Sequence, residues 1–174
     1  MMPYNCLQGV VMEQTQLVRF VLNGTKRELT VVRSWTLLHV LREVYHLTGT
    51  KYGCGTNDCG SCKVLIDGKA TNSCSFPMHK LEGKHVLTIE GVRDNPKYRL
   101  VPEAFVRCHA VQCGFCTPGM VIAALGLLLE NPHPTEHDVA EALSGNLCRC
   151  TGYVNILKAV LDAAGRMEEY THGQ

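Results

Sequence analysis

The sequence predicts an α+β fold in two successive parts: a small mixed sheet packed on one helix, then an all-helical part. Three observations carry this. Two turn dipeptides, Asn23-Gly24 and Asp67-Gly68, each stand between short apolar-alternating runs, the pattern of a β-hairpin. From residue 99 onward the apolar residues recur at helical spacing, with no strand signal. Between the two regimes the composition changes at "GVRDNPKY", residues 91–98. The predicted division is a tail over 1–14, a first domain over 15–92, a helical domain over 99–166 and a second tail over 167–174.

Each element follows from local pattern. Residues 16–32 form the first hairpin. "SWTLLHVLREVYHLTG" predicts a helix, because Leu37, Val40, Leu41 and Val44 share one face and Gly49 can stop it. A glycine- and cysteine-rich loop spans 53–62. "KVLIDGKATNSCSF" predicts the second hairpin, and "HVLTIEG" (85–91) the last strand. In the helical part, Leu100, Val101, Ala104, Phe105 and Cys108 share a face. "TPGMVIAALGLLLENP" is apolar on every side and predicts a central buried helix. Thr135 opens the next helix with Asp138 placed as in a capping box, and Gly145 can end it. Ile156, Leu157, Val160, Leu161 and Ala164 form the stripe of the last helix.

The 174 residues are 45% hydrophobic and 19% charged with a net charge of +1, ordinary for a folded chain and unlike a nucleic-acid or anionic-membrane binder. The N-terminus lacks the basic and apolar regions of a signal peptide. The uncharged stretch Cys113–Leu129 has 17 residues with Pro118 and three glycines, which falls short of a membrane span. An intracellular, cytoplasmic protein is expected. In such a setting ten cysteines point to metal rather than to disulfides.

The cysteines fall into two sets. Cys54, Cys59, Cys62 and Cys74 are spaced C-x4-C-x2-C-x11-C, and the first three match the plant-type [2Fe–2S] spacing. Glycines 53, 55 and 60 would let backbone N–H groups approach the sulfurs. Cys113 and Cys116 are the first half of the second set, and Cys148 and Cys150 follow after 31 intervening residues. Both pairs precede predicted helices, whose N-termini favour a negative ligand. Thr117 is the expected N-cap and Pro118 the first helical residue after Cys116. For both sets a structural four-thiolate zinc site stays open as an alternative, and for the second set a disulfide as well.

Together "GCGTNDCGSC", "QCGFCTPGM" and "GNLCRCTGY" resemble the iron–sulfur subunit of the xanthine oxidase family of molybdenum hydroxylases, over about residues 16–165. The resemblance implies a plant-type ferredoxin (β-grasp-like) domain followed by an all-α four-helix domain, each carrying one [2Fe–2S] cluster. It implies metal ligation by Cys54, Cys59, Cys62 and Cys74, and by Cys113, Cys116, Cys148 and Cys150. It places molybdopterin on a large partner subunit, contacted by Gln112, and FAD on a medium partner subunit. An amide offers a donor and an acceptor to a pterin edge, although residue type alone suggests a solvent-facing or capping Gln. Electrons would pass from the molybdopterin centre through both clusters to the flavin. No catalytic residue and no substrate site is expected on this chain.

Three residues depart from the family pattern. Asn57 stands where Gly is usual, and Asn tolerates φ > 0 best among the other residues. Ser61 and Lys63 replace the common Ala and Thr. Both are expected to raise the cluster's potential, an effect an EPR redox titration of Ser61→Ala and Lys63→Thr would detect.

Other residues have plainer expectations. Cys108 reads as a buried structural thiol and Cys6 as a free one. His133 and His137 straddle Pro134 and read as surface residues. Glu130, Glu136 and Glu141 read as a solvated face, Trp35 and Phe105 as core. Arg149, between Cys148 and Cys150, should be forced outward. Two rivals remain at this level: a free-standing [2Fe–2S] carrier, which needs only the first part, and a zinc-stabilised adaptor.

Overall fold

A computed structural model of the chain describes residues 14–172. The expected N-terminal tail, apart from Gln14, lies outside the described residues, and so does Cys6. Strands β1 (Thr15–Leu22) and β2 (Thr25–Val32) pair antiparallel, with Leu22 opposite Thr25. Their turn needs two successive left-handed residues, supplied by Asn23 (φ 49°) and Gly24 (φ 79°). Strands β3 (Lys63–Ile66) and β4 (Lys69–Asn72) repeat the solution with Asp67 (φ 49°) and Gly68 (φ 81°). Strand β5 (His85–Leu87) lies between the hairpins, parallel to β1 and antiparallel to β3, so the order is β2-β1-β5-β3-β4.

The first expected helix is much shorter. Helix α1 (Leu37–His39) is capped by Thr36, whose hydroxyl accepts from His39 N–H at 3.2 Å, and widens at once into a π turn over Val40–Val44. His46 then adopts φ 55° and Leu47 N–H reaches back to the Leu41 carbonyl at 2.8 Å, which ends the helix before Gly49. Gly49 is therefore not the stop; its N–H donates to Glu90. Leu37, Val40 and Leu41 still pack on Val18, Phe20, Leu22, Val64, Ile66 and Val86, as the apolar spacing required.

The last strand is also shorter than expected. It ends at Leu87, and residues 89–94 form helix α2 (Ile89–Asp94). Thr88 is fully buried: its N–H and hydroxyl both bond the Asn23 side chain, and the hydroxyl also reaches Glu90. Side-chain hydrogen bonding thus outweighs the strand propensity of Thr88 and Ile89.

The helical part contains α3 (Leu100–Arg107), α4 (Thr117–Glu130), α5 (Glu136–Leu143) and α6 (Val154–His172). Helix α4 is buried on almost every side, from Gly119 to Leu128, as its composition predicts. Helix α5 starts with the expected capping box. Thr135 Oγ1 accepts from Asp138 N–H, and the Asp138 carboxylate accepts from Thr135 N–H at 2.8 Å, which holds the carboxyl below the usual carboxylate range. Thr135→Ala is expected to cost about 1 kcal/mol in a denaturant melt. Helix α6 runs to His172, through residues 167–172 that were expected to be tail. Met167 stays on the buried stripe with Val160, Ala163 and Ala164, so the helix continues to bury apolar surface there. No helix among the described residues is long and apolar enough to cross a membrane.

Strand β3 joins the two parts. Its "VLI" is buried on both faces: Val64 and Ile66 belong to the core under α1, Leu65 to the core around α4. The backbone of Gly126 in α4 comes close enough that an added Cβ would lie 3.2 Å from Leu65 and 3.3 Å from Ala70. The sheet is therefore covered by helices from both sides, rather than packed on one helix alone.

Candidate iron–sulfur sites

The second hairpin positions half of the first cysteine set. Cys62 stands just before β3 and Cys74 two residues after β4, so the paired strands bring both to one end. Ser73 fixes the base: its N–H and hydroxyl both donate to the Cys62 carbonyl, at 3.2 and 2.7 Å. Cys54 and Cys59 come from the loop before β3. The N–H of Cys54 points at Cys59 Sγ, and those of Thr56 and Cys59 at Cys54 Sγ, each at 3.4 Å. Hydrogen bonds from the Thr56 hydroxyl, then from the N–H groups of Thr56 and Cys59, bring the Cys54 thiol down to about 6, which favours its ionised form. Burial, followed by a hydrogen bond with Cys62, pushes Cys74 up to about 11.

The loop is cut to fit sulfur. A Cβ on Gly53 would lie 2.6 Å from Cys59 Sγ. Asn57 adopts φ 73° and is held there: its carbonyl accepts from Asn72 at 2.8 Å and its side-chain oxygen from Ser75 at 2.7 Å. The departure from glycine at this position is thus compensated. Ser61 is buried beside Gly53 and Cys59.

In the second set the thiols pair across the two motifs rather than within them. Cys150 Sγ lies 3.6 Å from Cys113 Sγ, and Cys148 shares a hydrogen bond with Cys116. Burial and then that bond push Cys116 up to about 12. Cys148 is lowered: burial opposes ionisation, but hydrogen bonds from the Thr151 hydroxyl (3.0 Å) and the N–H groups of Thr151 and Cys150 outweigh it. Cys150 is raised by its bond and charge interaction with Cys113.

The helix starts differ from expectation. Cys116 itself is the N-cap of α4, with Thr117 as first residue and Pro118 as second. Before α6, Gly152 (φ 64°) and Tyr153 (φ 68°) make a left-handed step, so Cys150 stands off the helix end. Arg149 is exposed, as expected, and so is Gln112. Cys108 is half-buried on the helical core; Phe105 is core and Trp35 partly so. His133, His137, Glu130, Glu136 and Glu141 are all exposed.

Sequence reading missed Asn146, Thr151 and Tyr153. The Tyr153 hydroxyl accepts from Cys148 N–H at 2.7 Å and donates to the Asn146 carbonyl at 3.2 Å. Asn146, 1% exposed, donates through Nδ2 to the Gly60 carbonyl at 3.3 Å, and its Oδ1 accepts from Lys63 Nζ. Leu147 N–H donates to the Cys59 carbonyl at 3.0 Å. The two cysteine sets therefore meet along one backbone seam.

Among the described residues, no three His, Cys, Asp or Glu side chains converge as a single metal ion would require. Tetrahedral zinc needs four donors within about 2.3 Å of one point. Thiols gathered in pairs, with N–H groups aimed at sulfur and a glycine where a Cβ would strike it, fit a diiron cluster instead.

Comparison with known proteins agrees. Residues 20–87 match the 2Fe-2S iron-sulfur cluster binding domain family, and residues 88–161 the [2Fe-2S] binding domain family. The chain is 48% identical to the nicotine 6-hydroxylase small subunit of Paenarthrobacter nicotinovorans, over 83% of this chain and 87% of that protein. It is 41% identical to the nicotinate dehydrogenase small FeS subunit of Eubacterium barkeri, over 83% and 92%. A crystal structure of quinoline 2-oxidoreductase from Pseudomonas putida 86 superposes with a TM-score of 0.83 at 42% identity, covering 90% of this chain and 98% of that one. With both of its cluster-binding domains matched in order along the chain, the protein belongs to the small iron–sulfur subunits of the xanthine oxidase family of molybdenum hydroxylases.

Proposed function

We propose that this chain is the electron-transfer subunit of a molybdenum hydroxylase, working between a molybdopterin-binding large subunit and an FAD-binding medium subunit in the cytoplasm. The carrying observation is the pair of four-cysteine sets that share one seam. Cys54, Cys59, Cys62 and Cys74 hold one [2Fe–2S] cluster in a ferredoxin-like, β-grasp-like domain. Cys113, Cys116, Cys148 and Cys150 would hold the other in the four-helix domain formed by α3 to α6, where thiols of the two motifs are neighbours. When bound, each cluster accepts and returns one electron.

The chain's own residues supply the setting. N–H groups of Cys54, Thr56 and Cys59 neutralise thiolate charge in the first loop, and the hydroxyl of Thr151 does so in the second. Exposed apolar residues accompany the second set along the chain: Val111 just before Gln112 and Cys113, Phe115 between Cys113 and Cys116, Leu147 before Cys148, and Val154 at the start of α6. Such residues suit burial against a protein partner. We assign that partner as the large subunit, with Gln112 facing its pterin. The exposed Cys54 loop, with Tyr52 64% exposed beside it, is assigned to the flavin side.

Affinity purification from the native host tests this. The expected product is a brown complex with equal iron and acid-labile sulfide, accompanied by larger subunits and releasable molybdopterin. A colourless chain with stoichiometric zinc would point to the adaptor; a brown chain that purifies alone would point to a free carrier.

A further inference from the structure

The side chain of Lys63 is half-buried, and among the described residues no carboxylate lies within salt-bridge distance of it. An unbalanced ammonium in such a place is costly unless an anion compensates it. The one charge interaction that favours the ammonium is with Cys62, the preceding residue and a proposed cluster ligand. It does not escape to solvent, because Nζ is held by Asn146 Oδ1 over the backbone of Gly145, where an added Cβ would lie 3.5 Å from the nitrogen. Asn146 is locked in turn through Gly60 and Tyr153. Asn146 stands two residues before Cys148, so the ammonium is parked on the seam between the two cysteine sets.

We infer that Asn146 is a positioning residue that pins the Lys63 cation between the two cluster sites, where it favours electron residence on the first-loop cluster. This rests on the proposed iron–sulfur reading. A reduced [2Fe–2S] centre carries one more negative charge than the oxidised one, so a fixed cation stabilises the reduced state. Lys63 adjoins Cys62 by sequence, whereas it reaches the second set only through Asn146. The gain is therefore larger for the first-loop cluster, and the driving force for transfer toward it rises.

The test is an EPR-monitored redox titration of the purified complex, with both clusters followed separately. Lys63→Met is expected to shift the one-electron equilibrium of the first-loop cluster at least tenfold toward oxidised, about 59 mV, and that of the second cluster less. Lys63→Arg keeps the charge and should retain most of the potential. Asn146→Ala should reproduce part of the Lys63→Met shift, because the released ammonium turns to solvent, and Asn146→Gln should restore some of it. A brown Lys63→Met protein with both potentials unmoved overturns the inference, as does Lys63→Arg falling as far as Lys63→Met. If Lys63→Met fails to load iron, Lys63→Gln decides on the same readout. Failure of the underlying reading is distinguishable, since the wild-type complex would then show no iron–sulfur EPR signal at all.

Discussion

Cys148→Ser is expected to abolish one of the two EPR signals of the dithionite-reduced protein and leave the other at full intensity, with iron content reduced by about half. The fold should survive. Ser has nearly the same volume, and the Cys148 N–H that anchors the turn to Tyr153 is a backbone group, untouched by the change. What is lost is a donor. Cys148 is the cross-motif neighbour of Cys116, and its thiol is the one in the second set that hydrogen bonding drives toward ionisation. The first set, as proposed, draws its ligands from residues 54–74 and none from this loop. A variant that kept both signals would remove Cys148 from the ligand set. One that lost both would mean that the seam couples assembly of the two sites.

Gly119→Ala is the second large expectation. A Cβ there would stand 2.2 Å from the Gly60 carbonyl oxygen and 3.0 Å from Ser61 Cα. Both obstacles are backbone, so neither can rotate aside. Gly60, with φ 68°, is itself confined by Gly145 and Asn146 on its other side. The variant is expected to lose about 3 kcal/mol, the upper end of ordinary overpacking, and to melt on the order of 10 °C lower. Gly165→Ala is the control. Nothing lies within 4 Å of its Cβ at this exposed position of α6, and Ala there should stabilise by about 0.5–1 kcal/mol. Calorimetry of both variants separates helix propensity from the closeness of α4 to the cluster loop.

Much of this molecule can be read locally. The hairpin turns, the all-round apolar α4 and the capping box of α5 depend on residues within one element, and the structure has them where the patterns indicate. The misreadings share a cause: a distant group decides. Leu37, Val40, Leu41 and Val44 fit a regular helix, yet the chain needs a wide π turn and a left-handed His46 to enter the cysteine loop. "TIEG" reads as strand until Asn23, in the turn of the first hairpin, takes up the Thr88 side chain. The cysteines could be sorted into two candidate sets from their positions along the chain. The pairing of thiols across motifs could not be read that way, since it depends on how α4 and α6 meet. Asn146 was passed over because an Asn beside a glycine reads as an ordinary turn, and only its burial shows that it bonds both cysteine loops.

The cross-motif pairing bears on the order in which the protein matures. The first set lies within residues 54–74 and can gather once one hairpin has formed. The second draws partners from either side of α4 and α5, with 31 residues between Cys116 and Cys148. Bringing such ends together carries a closure entropy that grows with loop length, and a bond across them removes that entropy from the unfolded chain. A cluster held by the second set, as proposed, would clasp the helices as well as carry electrons.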